Sequence, residues 1–131
     1  MKKSNNFSKL PKRGEIWLVD FNRKQEKEEN KIRPVLIISD DIQNEFDKWI
    51  VGIPMTTKDV ENVRLVEVFV KNIPETGLDY PSKLQLNYPR TIDKELRLIE
   101  KLGIANKEVM KRAVEAWKIA FDTEDWQNSP F

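Results

Sequence analysis

The sequence predicts a small, mainly β domain in which short antiparallel strands form a barrel or a strongly twisted sheet, with one C-terminal helix packed across it. Three observations predict this class. Short runs rich in β-branched and aromatic residues follow one another, turn-forming residues separate them, and only the last element repeats its apolar residues at helical spacing. At 131 residues and 39% hydrophobic residues, the chain has the size of one domain with one core.

Six short runs are predicted as strands, over residues 15–21, 34–39, 49–55, 64–70, 83–87 and 97–102. The run PVLIIS at the second position is continuously apolar, which favours a buried central strand. The fourth run alternates, so we expect Leu65, Glu67 and Phe69 to share one half-solvated face. Asp40 and Asp41 are interpreted as turn formers between two strands.

The final element is the clearest helix in the pattern. Asn106 is a favourable N-cap, and the apolar residues after it recur at helical spacing: Val109, Met110, Ala113, Val114, Trp117, Ala120 and Phe121. We expect this face to join the core. The domain is predicted over residues 13–122, with a flexible N-terminal arm over residues 1–12 and a C-terminal tail over residues 123–131. Residues 22–32 are almost all charged or amide, which predicts a mobile loop.

The composition excludes several classes of function. Without cysteine, the chain has no disulfides, thiolate metal sites or cysteine nucleophiles. Histidine, which most often performs acid–base catalysis and binds transition metals, is also missing. With 23 basic and 22 acidic residues, any site for a polyanion must be a local patch. Because no long apolar run predicts a membrane span or a signal peptide, we expect a cytoplasmic protein.

Two residue pairs at predicted strand ends suggest a site. Arg33-Pro34 opens the most apolar strand, and Thr56-Thr57 follows the next one. Arginine binds phosphate through several donors and a permanent charge, and threonine adds a neutral donor. If the two strands are antiparallel neighbours, Arg33 and Thr56 converge. The structural alternative is that Arg-Pro simply begins a strand and Thr-Thr closes one through backbone hydrogen bonds.

Four segments together resemble the MazF/PemK (Kid) toxin family in order and spacing. They are GEIWLVDF at 14–21, RPVLIISDDIQN at 33–44, IPMTT at 53–57 and RTIDK at 90–94, and the resemblance covers roughly residues 13–122. It implies an SH3-like barrel (CcdB/PemK-like), a homodimer, and sequence-specific, ribosome-independent cleavage of single-stranded mRNA without metal or cofactor. It also implies an acidic antitoxin that competes with RNA for the site.

In that family the arginine of the Arg-Pro pair and the first threonine after the next strand are catalytic, which points to Arg33 and Thr56 here. The ribose 2′-hydroxyl would attack the adjacent phosphorus and leave a 2′,3′-cyclic phosphate and a 5′-hydroxyl. Arg33 would stabilise the phosphorane, and Thr56 would donate to a nonbridging oxygen. The general base is left open among Glu28, Asp93 and solvent.

Further RNA contacts are predicted at Lys31, Thr57, Lys58 and Arg90, which flank the catalytic pair or match the family motif. For Arg90, a structural ion pair is an equal alternative. Trp17 and Trp49 could stack on bases, but tryptophans in small barrels are usually core or interface residues.

The sequence departs from the family pattern at two places. The loop before Arg33 reads QEKEENK over 25–31, where family members usually carry glycines. Asn87-Tyr88-Pro89 precedes Arg90, where many relatives have Glu-Gln-Ile or Glu-Gln-Val, so the family's glutamine contact to RNA is lost. The RNA recognition sequence therefore cannot be transferred from the family.

Two other functions compete with the nuclease. A CcdB-like toxin of the same fold would bind gyrase or another protein without cutting RNA, but such a toxin does not need Arg33 and Thr56 to converge on a cleft. An SH3-like adaptor would need an aromatic groove for extended peptides and would leave Arg33 without a role.

Overall fold

A seven-stranded antiparallel sheet forms the body of the fold in the computed structural model, which describes residues 9–128. The strands are β1 Glu15–Asp20, β2 Ile32–Ile37, β3 Trp49–Thr56, β4 Glu67–Val70, β5 Ser82–Gln85, β6 Arg90–Asp93 and β7 Leu98–Ile104. The α-helices are α1 Asp41–Phe46, α2 Lys94–Arg97, α3 Lys107–Ala120 and α4 Thr123–Asn128. A single 3-10 turn, Glu29–Lys31, precedes β2.

The strand order is β4-β5-β3-β2-β1-β7, and β6 pairs with the first half of β3. One edge of β3 therefore serves β2, and the other edge serves β6 and then β5. Within the described range, β4 and β7 end this order and are not paired with each other. The mainly β class with a C-terminal helix is confirmed, whereas the SH3-like barrel stays a prediction.

The two faces of the sheet carry two separate hydrophobic clusters. Because side chains alternate along a strand, β2 sends Leu36 to one face and Val35 and Ile37 to the other. Leu36 belongs to the cluster that packs against Ala113 and Ala116 of α3, and we call this the helix face. Val35 and Ile37 belong to the second cluster, on what we call the cleft face. The candidate catalytic residues lie on the cleft face.

The helix α3 begins where the sequence predicts it. The Asn106 side chain accepts a hydrogen bond from the Val109 backbone N–H at 2.9 Å, which caps the first turn. Trp117 and Phe121 are half-buried, and their rings lie 4.5 Å apart between centroids. Trp117 packs against the helix-face cluster, as expected.

Several elements differ from the prediction, since the short helices α1, α2 and α4 and the strand β6 were not predicted as such. Asp40 and Asp41 do not form a simple turn, since the Asp40 carboxylate accepts a hydrogen bond from the Gln43 N–H at 2.9 Å and caps the helix α1. The strand β6 was predicted only as part of a motif. Its four residues are too few to show a periodic pattern, and its pairing with β3 is what makes it a strand.

The charged loop between β1 and β2 contains internal hydrogen bonds centred on Asn22. Asn22 is buried, its amide nitrogen donates to Asp20 and to the Glu28 carbonyl, and its amide oxygen accepts from the Glu28 N–H. Hydrogen bonds from the Asn22 backbone N–H and side chain lower the pKa of Asp20. One internal asparagine thus organises a loop whose other side chains are mostly exposed.

The predicted ends of the domain fall partly outside the described residues. Residues 1–8 of the predicted arm and residues 129–131 of the predicted tail lie outside them. Pro11 is buried and the Lys9 ammonium donates to the Glu95 carbonyl at 3.3 Å, so the described part of the arm packs on the domain. Between residues 9 and 128, no helix has the length and apolar character needed to cross a membrane.

Candidate active site

Arg33 is the second residue of β2 and lies opposite Val19 of β1, on the cleft face. The side chain is half-buried, and its Nε donates to the Asn30 carbonyl at 3.1 Å. Among residues 9–128, no carboxylate forms an ion pair with Arg33. The two terminal amino groups of this guanidinium are therefore available to an anion.

The register of β2 and β3 decides on which face of the sheet Thr56 lies. The pairs run Ile37 with Gly52, then Leu36 with Ile53, then Val35 with Pro54. The pairing ends there, and strand alternation over the last two residues of β3 leaves Thr56 on the same face of the sheet as Arg33.

The Thr56 hydroxyl is oriented by its own turn. Thr56 is half-buried, and its Oγ1 accepts a hydrogen bond from the Lys58 backbone N–H at 3.1 Å. An accepting hydroxyl keeps its proton for a second partner. The hydroxyl proton of Thr56 is therefore available to a further acceptor.

A cleft of about 700 Å³ opens beside Arg33 on the cleft face. Its lining consists of Phe21, Arg23, Asn30, Lys31, Arg33, Pro54, Gln85, Tyr88 and Arg90. Four of these side chains are cationic and none is a carboxylate, although the net charge of the chain is only +1. This local excess of positive charge suits a polyanion such as a nucleic acid backbone.

Arg90 faces the cleft from β6, opposite Gly52 of β3. Its guanidinium carbon lies 4.3 Å from the centroid of the Phe21 ring, which is a cation–π distance. No carboxylate pairs with Arg90 in the part of the chain that the structure describes. The structural ion pair that sequence reasoning left open is thus replaced by an aromatic contact, which holds the guanidinium without neutralising it.

Lys31 lines the same cleft, but acidic residues of its own loop share its charge. Its ammonium lies 3.0 Å from a Glu26 carboxylate oxygen and 3.8 Å from one of Glu28. The Arg23 backbone N–H, and then Lys31, hold the pKa of Glu26 below its ordinary value. We therefore expect Lys31 to contribute less to anion binding than Arg33 or Arg90.

The other two predicted RNA contacts are less close to the cleft. Thr57 is exposed and lines a separate depression of about 410 Å³, together with Pro34 and Tyr80. Thr57 follows the last residue of β3 and does not line the cleft beside Arg33. Lys58 is exposed and contacts Thr56 through its backbone N–H. Arg33 and Arg90 thus line the cleft, Thr56 lies on the same face of the sheet without lining it, and Thr57 lines a separate depression.

Both carboxylates considered as general bases have structural partners. The Asp93 carboxylate accepts hydrogen bonds from two backbone N–H groups at the start of α2 and lies 3.8 Å from the Lys48 ammonium. Glu28 is exposed and pairs with Lys31. Neither lines the cleft around Arg33. Trp17, which is buried, and Trp49, which is half exposed, do not line it either.

The sequence did not predict a buried ion pair that lies beside Thr56. Lys83 of β5 lies opposite Thr56 of β3, and its ammonium is 3.1 Å from the carboxylate of Glu67. The Glu67 side chain is only 2% exposed, and it also accepts hydrogen bonds from the Arg64 backbone and guanidinium. Burial alone would raise the pKa of Glu67, but the hydrogen bonds from Arg64 and Lys83 outweigh it and lower the pKa to about 2.

Arg64 is the exposed end of this network. The hydrogen bond and the charge of Glu67 raise the pKa of Arg64, and the Tyr88 hydroxyl adds a smaller contribution in the same direction. Tyr88 itself lines the cleft. The only sequence signal for this network was a charged residue within each of two strand patterns, which by itself predicts a solvated face.

The chain is similar to a known protein family and to a bacterial endoribonuclease. Residues 12–121 match the model of the family described as PemK-like, MazF-like toxin of type II toxin-antitoxin system. Endoribonuclease EndoA of Bacillus subtilis (strain 168) is 30% identical over 120 residues, which cover 89% of this chain and 99% of that protein.

Solved structures of such toxins have the same fold as this chain. A mycobacterial endoribonuclease in complex with its cognate antitoxin has a TM-score of 0.68 at 21% identity, covering 86% of this chain and 95% of that one. Mycobacterium tuberculosis toxin MazF-mt6 has a TM-score of 0.67 at 24% identity, covering 82% and 96%. At these identities, the structures show the shared fold. The family match covers most of the chain, so this protein belongs to the PemK-like, MazF-like toxins of type II toxin-antitoxin systems.

Proposed function

We propose that this chain is the toxin of a type II toxin-antitoxin pair and acts as a metal-independent endoribonuclease on single-stranded mRNA. The observation that carries the proposal is the position of Arg33. Its guanidinium has no acidic partner among the described residues, lines a cationic cleft, and lies on the same face as the Thr56 hydroxyl. The relatives named endoribonuclease support the same activity.

The proposed reaction uses the RNA as its own nucleophile. The 2′-hydroxyl attacks the adjacent phosphorus, the bond to the 5′-oxygen of the next nucleotide breaks, and the products are a 2′,3′-cyclic phosphate and a 5′-hydroxyl. Negative charge increases on the nonbridging oxygens in the phosphorane-like transition state. Arg33 stabilises that charge through its two terminal amino groups, and Thr56 donates a third hydrogen bond.

Proton transfer in this proposal does not depend on a metal ion. No group of three acidic side chains within residues 9–128 could hold a metal, and the chain has no histidine or cysteine. Arg33 is the cation placed to protonate the leaving 5′-oxygen. Since Glu28 and Asp93 lie outside the cleft lining, solvent is the candidate base that this arrangement favours.

The substrate would bind along the cleft through charge and stacking. Arg90 on Phe21 is suited to a phosphate one step from the scissile one, and the exposed ring of Tyr88 is suited to a base. Because stacking on the exposed Tyr88 ring needs a base that is not stacked in a duplex, unpaired RNA is the favoured substrate. Lys31 and Lys58 would add weaker contacts at its margins.

The partners follow from the same charge pattern. An acidic, partly disordered antitoxin segment would bind the cationic cleft and exclude RNA from Arg33, and a relative solved with its cognate antitoxin supports such a partner. We also propose a symmetric homodimer that acts in the cytoplasm, where mRNA is found.

The deciding experiment maps the products of purified protein on a long single-stranded RNA in excess chelator. We expect discrete cuts with 5′-hydroxyl ends, and a single 2′-deoxy nucleotide before a mapped cut should abolish cleavage there. Arg33→Ala and Thr56→Ala should each lower kcat by about 10²-fold or more. Arg112→Ala is the matched control, because Arg112 is an exposed arginine of α3 paired with Glu108.

Two results would overturn the proposal. Cleavage that needs added Mg²⁺, or that survives in Arg33→Ala at the rate of the wild type, contradicts the mechanism. A wild-type protein that cuts no RNA but binds gyrase would establish the CcdB-like alternative instead.

A further inference from the structure

We propose that Lys83 is a positioning residue for catalysis, because its buried ammonium holds the loop that follows Thr56 and thereby orients the Thr56 hydroxyl. This inference rests on the proposed nuclease function. It concerns a residue that touches neither the cleft nor, in the proposed reaction, the RNA.

The ammonium of Lys83 has three donors, and three acceptors surround it. They are the Glu67 carboxylate at 3.1 Å, the Asp59 carbonyl at 2.9 Å and the Asn62 carbonyl at 2.9 Å. The Lys83 side chain is 6% exposed, so these protein groups take the place of water. A buried ion pair of this kind seldom stabilises a protein more than an apolar pair of similar size would. We therefore assign it a role in fixing the geometry of the loop.

The two carbonyls belong to the loop that begins at Thr56. Asp59 has a φ of +52°, a conformation that residues with a side chain rarely adopt. Its carbonyl also accepts the Asn62 backbone N–H at 3.1 Å, and its carboxylate accepts the Asn62 side-chain amide at 2.7 Å. Lys83 therefore fixes this strained turn by donating to the carbonyls of its first and last residues, Asp59 and Asn62.

The path from this turn to the candidate catalytic hydroxyl is short. The Lys58 N–H, one residue before Asp59, donates to Thr56 Oγ1 at 3.1 Å and sets the direction of the hydroxyl. Lys83 also pairs with Thr56 through the β3–β5 ladder. Thr56 is thus fixed by the same lysine through the backbone of its strand and through the turn after it.

The far end of the loop is fixed by the other half of the ion pair. Glu67 begins β4, and it accepts the Arg64 backbone N–H at 2.9 Å and the Arg64 guanidinium at 3.0 Å. The pair Lys83–Glu67 therefore closes the whole connection between β3 and β4. Loss of either charge should loosen the loop while leaving the RNA-binding cations in place.

The test compares Lys83→Met with Lys94→Met in the full-length protein. Lys94 is a matched control, because it is equally buried and its ammonium also donates to two carbonyls, those of Asn44 and Glu45 in α1. We expect Lys83→Met to lower kcat about tenfold or more with KM within about threefold, and Lys94→Met to leave both nearly unchanged.

A double-mutant cycle separates positioning from general destabilisation. In a Thr56→Ala background, Lys83→Met should lower kcat by less than about twofold, because the group it positions is already absent. An undiminished loss in that background would overturn the proposal. Should Lys83→Met not fold, Glu67→Gln with Lys83→Met removes both charges together and is measured in the same cycle.

A measurement without RNA keeps this inference apart from the proposed nuclease function. Backbone order parameters of residues 57–62 should fall below about 0.6 in Lys83→Met and stay near about 0.85 in wild type and Lys94→Met. Unchanged order in Lys83→Met would refute the role of this lysine. A wild type that cuts no RNA would refute the nuclease and, with it, positioning for catalysis, and the order parameters would then decide whether Lys83 holds the loop at all.

Discussion

Replacing Glu67 by glutamine is the sharpest test of the energetics in this fold, because a carboxylate that is 2% exposed receives hydrogen bonds from both Arg64 and Lys83. Those partners lower the pKa of Glu67 from 4.5 to about 2 despite the opposing effect of burial. A folded-state pKa below the unfolded one means that the ionised carboxylate stabilises the folded protein. The stabilisation is fully present above about pH 4.5 and is lost as the pH falls through about 2.

The magnitude follows from the two pKa values. One pKa unit corresponds to about 1.4 kcal/mol, so the difference contributes roughly 3 kcal/mol to the free energy of unfolding at pH 7. We expect Glu67→Gln to lower the free energy of unfolding by about that amount at neutral pH. Near pH 2 about half of the wild-type carboxyl is protonated and most of its stabilisation is lost, so the two proteins should become similar in stability.

Urea unfolding, followed by tryptophan fluorescence from pH 7 down to pH 2, measures this difference directly. Glu61→Gln is the matched control, since Glu61 is an exposed carboxylate of the same loop, and it should change the free energy by less than about 0.5 kcal/mol. A Glu67→Gln effect that stays constant with pH, or that is below about 0.5 kcal/mol at pH 7, would refute the reasoning.

Three further predictions follow from the described contacts. Arg90→Lys should raise KM for RNA about threefold or more with little change in kcat, because an ammonium stacks less well on Phe21 than a guanidinium does. An unchanged KM in a cleavage assay would count against this contact. Gly77→Ala should lower the free energy of unfolding by about 2 kcal/mol or more in urea, because Gly77 has a φ of +71° and an added Cβ would lie 1.9 Å from the Leu102 carbonyl oxygen. Asp93→Ala should lower the free energy of unfolding by about 1 kcal/mol because the cap of α2 is lost, whereas Asp93→Asn should keep most of that stability. Equal Tm values for the wild type and both variants would contradict the capping role.

Much of the fold could be predicted because its strongest patterns are local. The apolar run of β2 and the repeating apolar face of α3 each bury a continuous surface, and such patterns are visible in the sequence. The cap at Asn106 was predicted for the same reason. The strand β6 and the helix α1 were missed because each is too short to show a period, and pairing or capping stabilises them instead.

The candidate site was predictable in part. The sequence predicted that Arg33 and Thr56 lie at adjacent strand ends, and β2 and β3 are antiparallel neighbours, as that prediction requires. Their catalytic roles stay predictions. The sequence did not show that Thr57 lies apart from Arg33. Thr57 follows the last residue of β3, and only the structure places it in a depression beside Pro34.

The sequence by itself determined the class of the domain, the absence of histidine and cysteine chemistry, and two residues able to bind a phosphate. Only the tertiary structure decided which charges are free to do so. Arg33 and Arg90 line a cleft and have no carboxylate partner among residues 9–128, whereas Lys83 and Glu67 form an ion pair inside the protein. The physical reason is that an ion pair between strands depends on distances in space, which strand pairing sets and which no local pattern in the chain records.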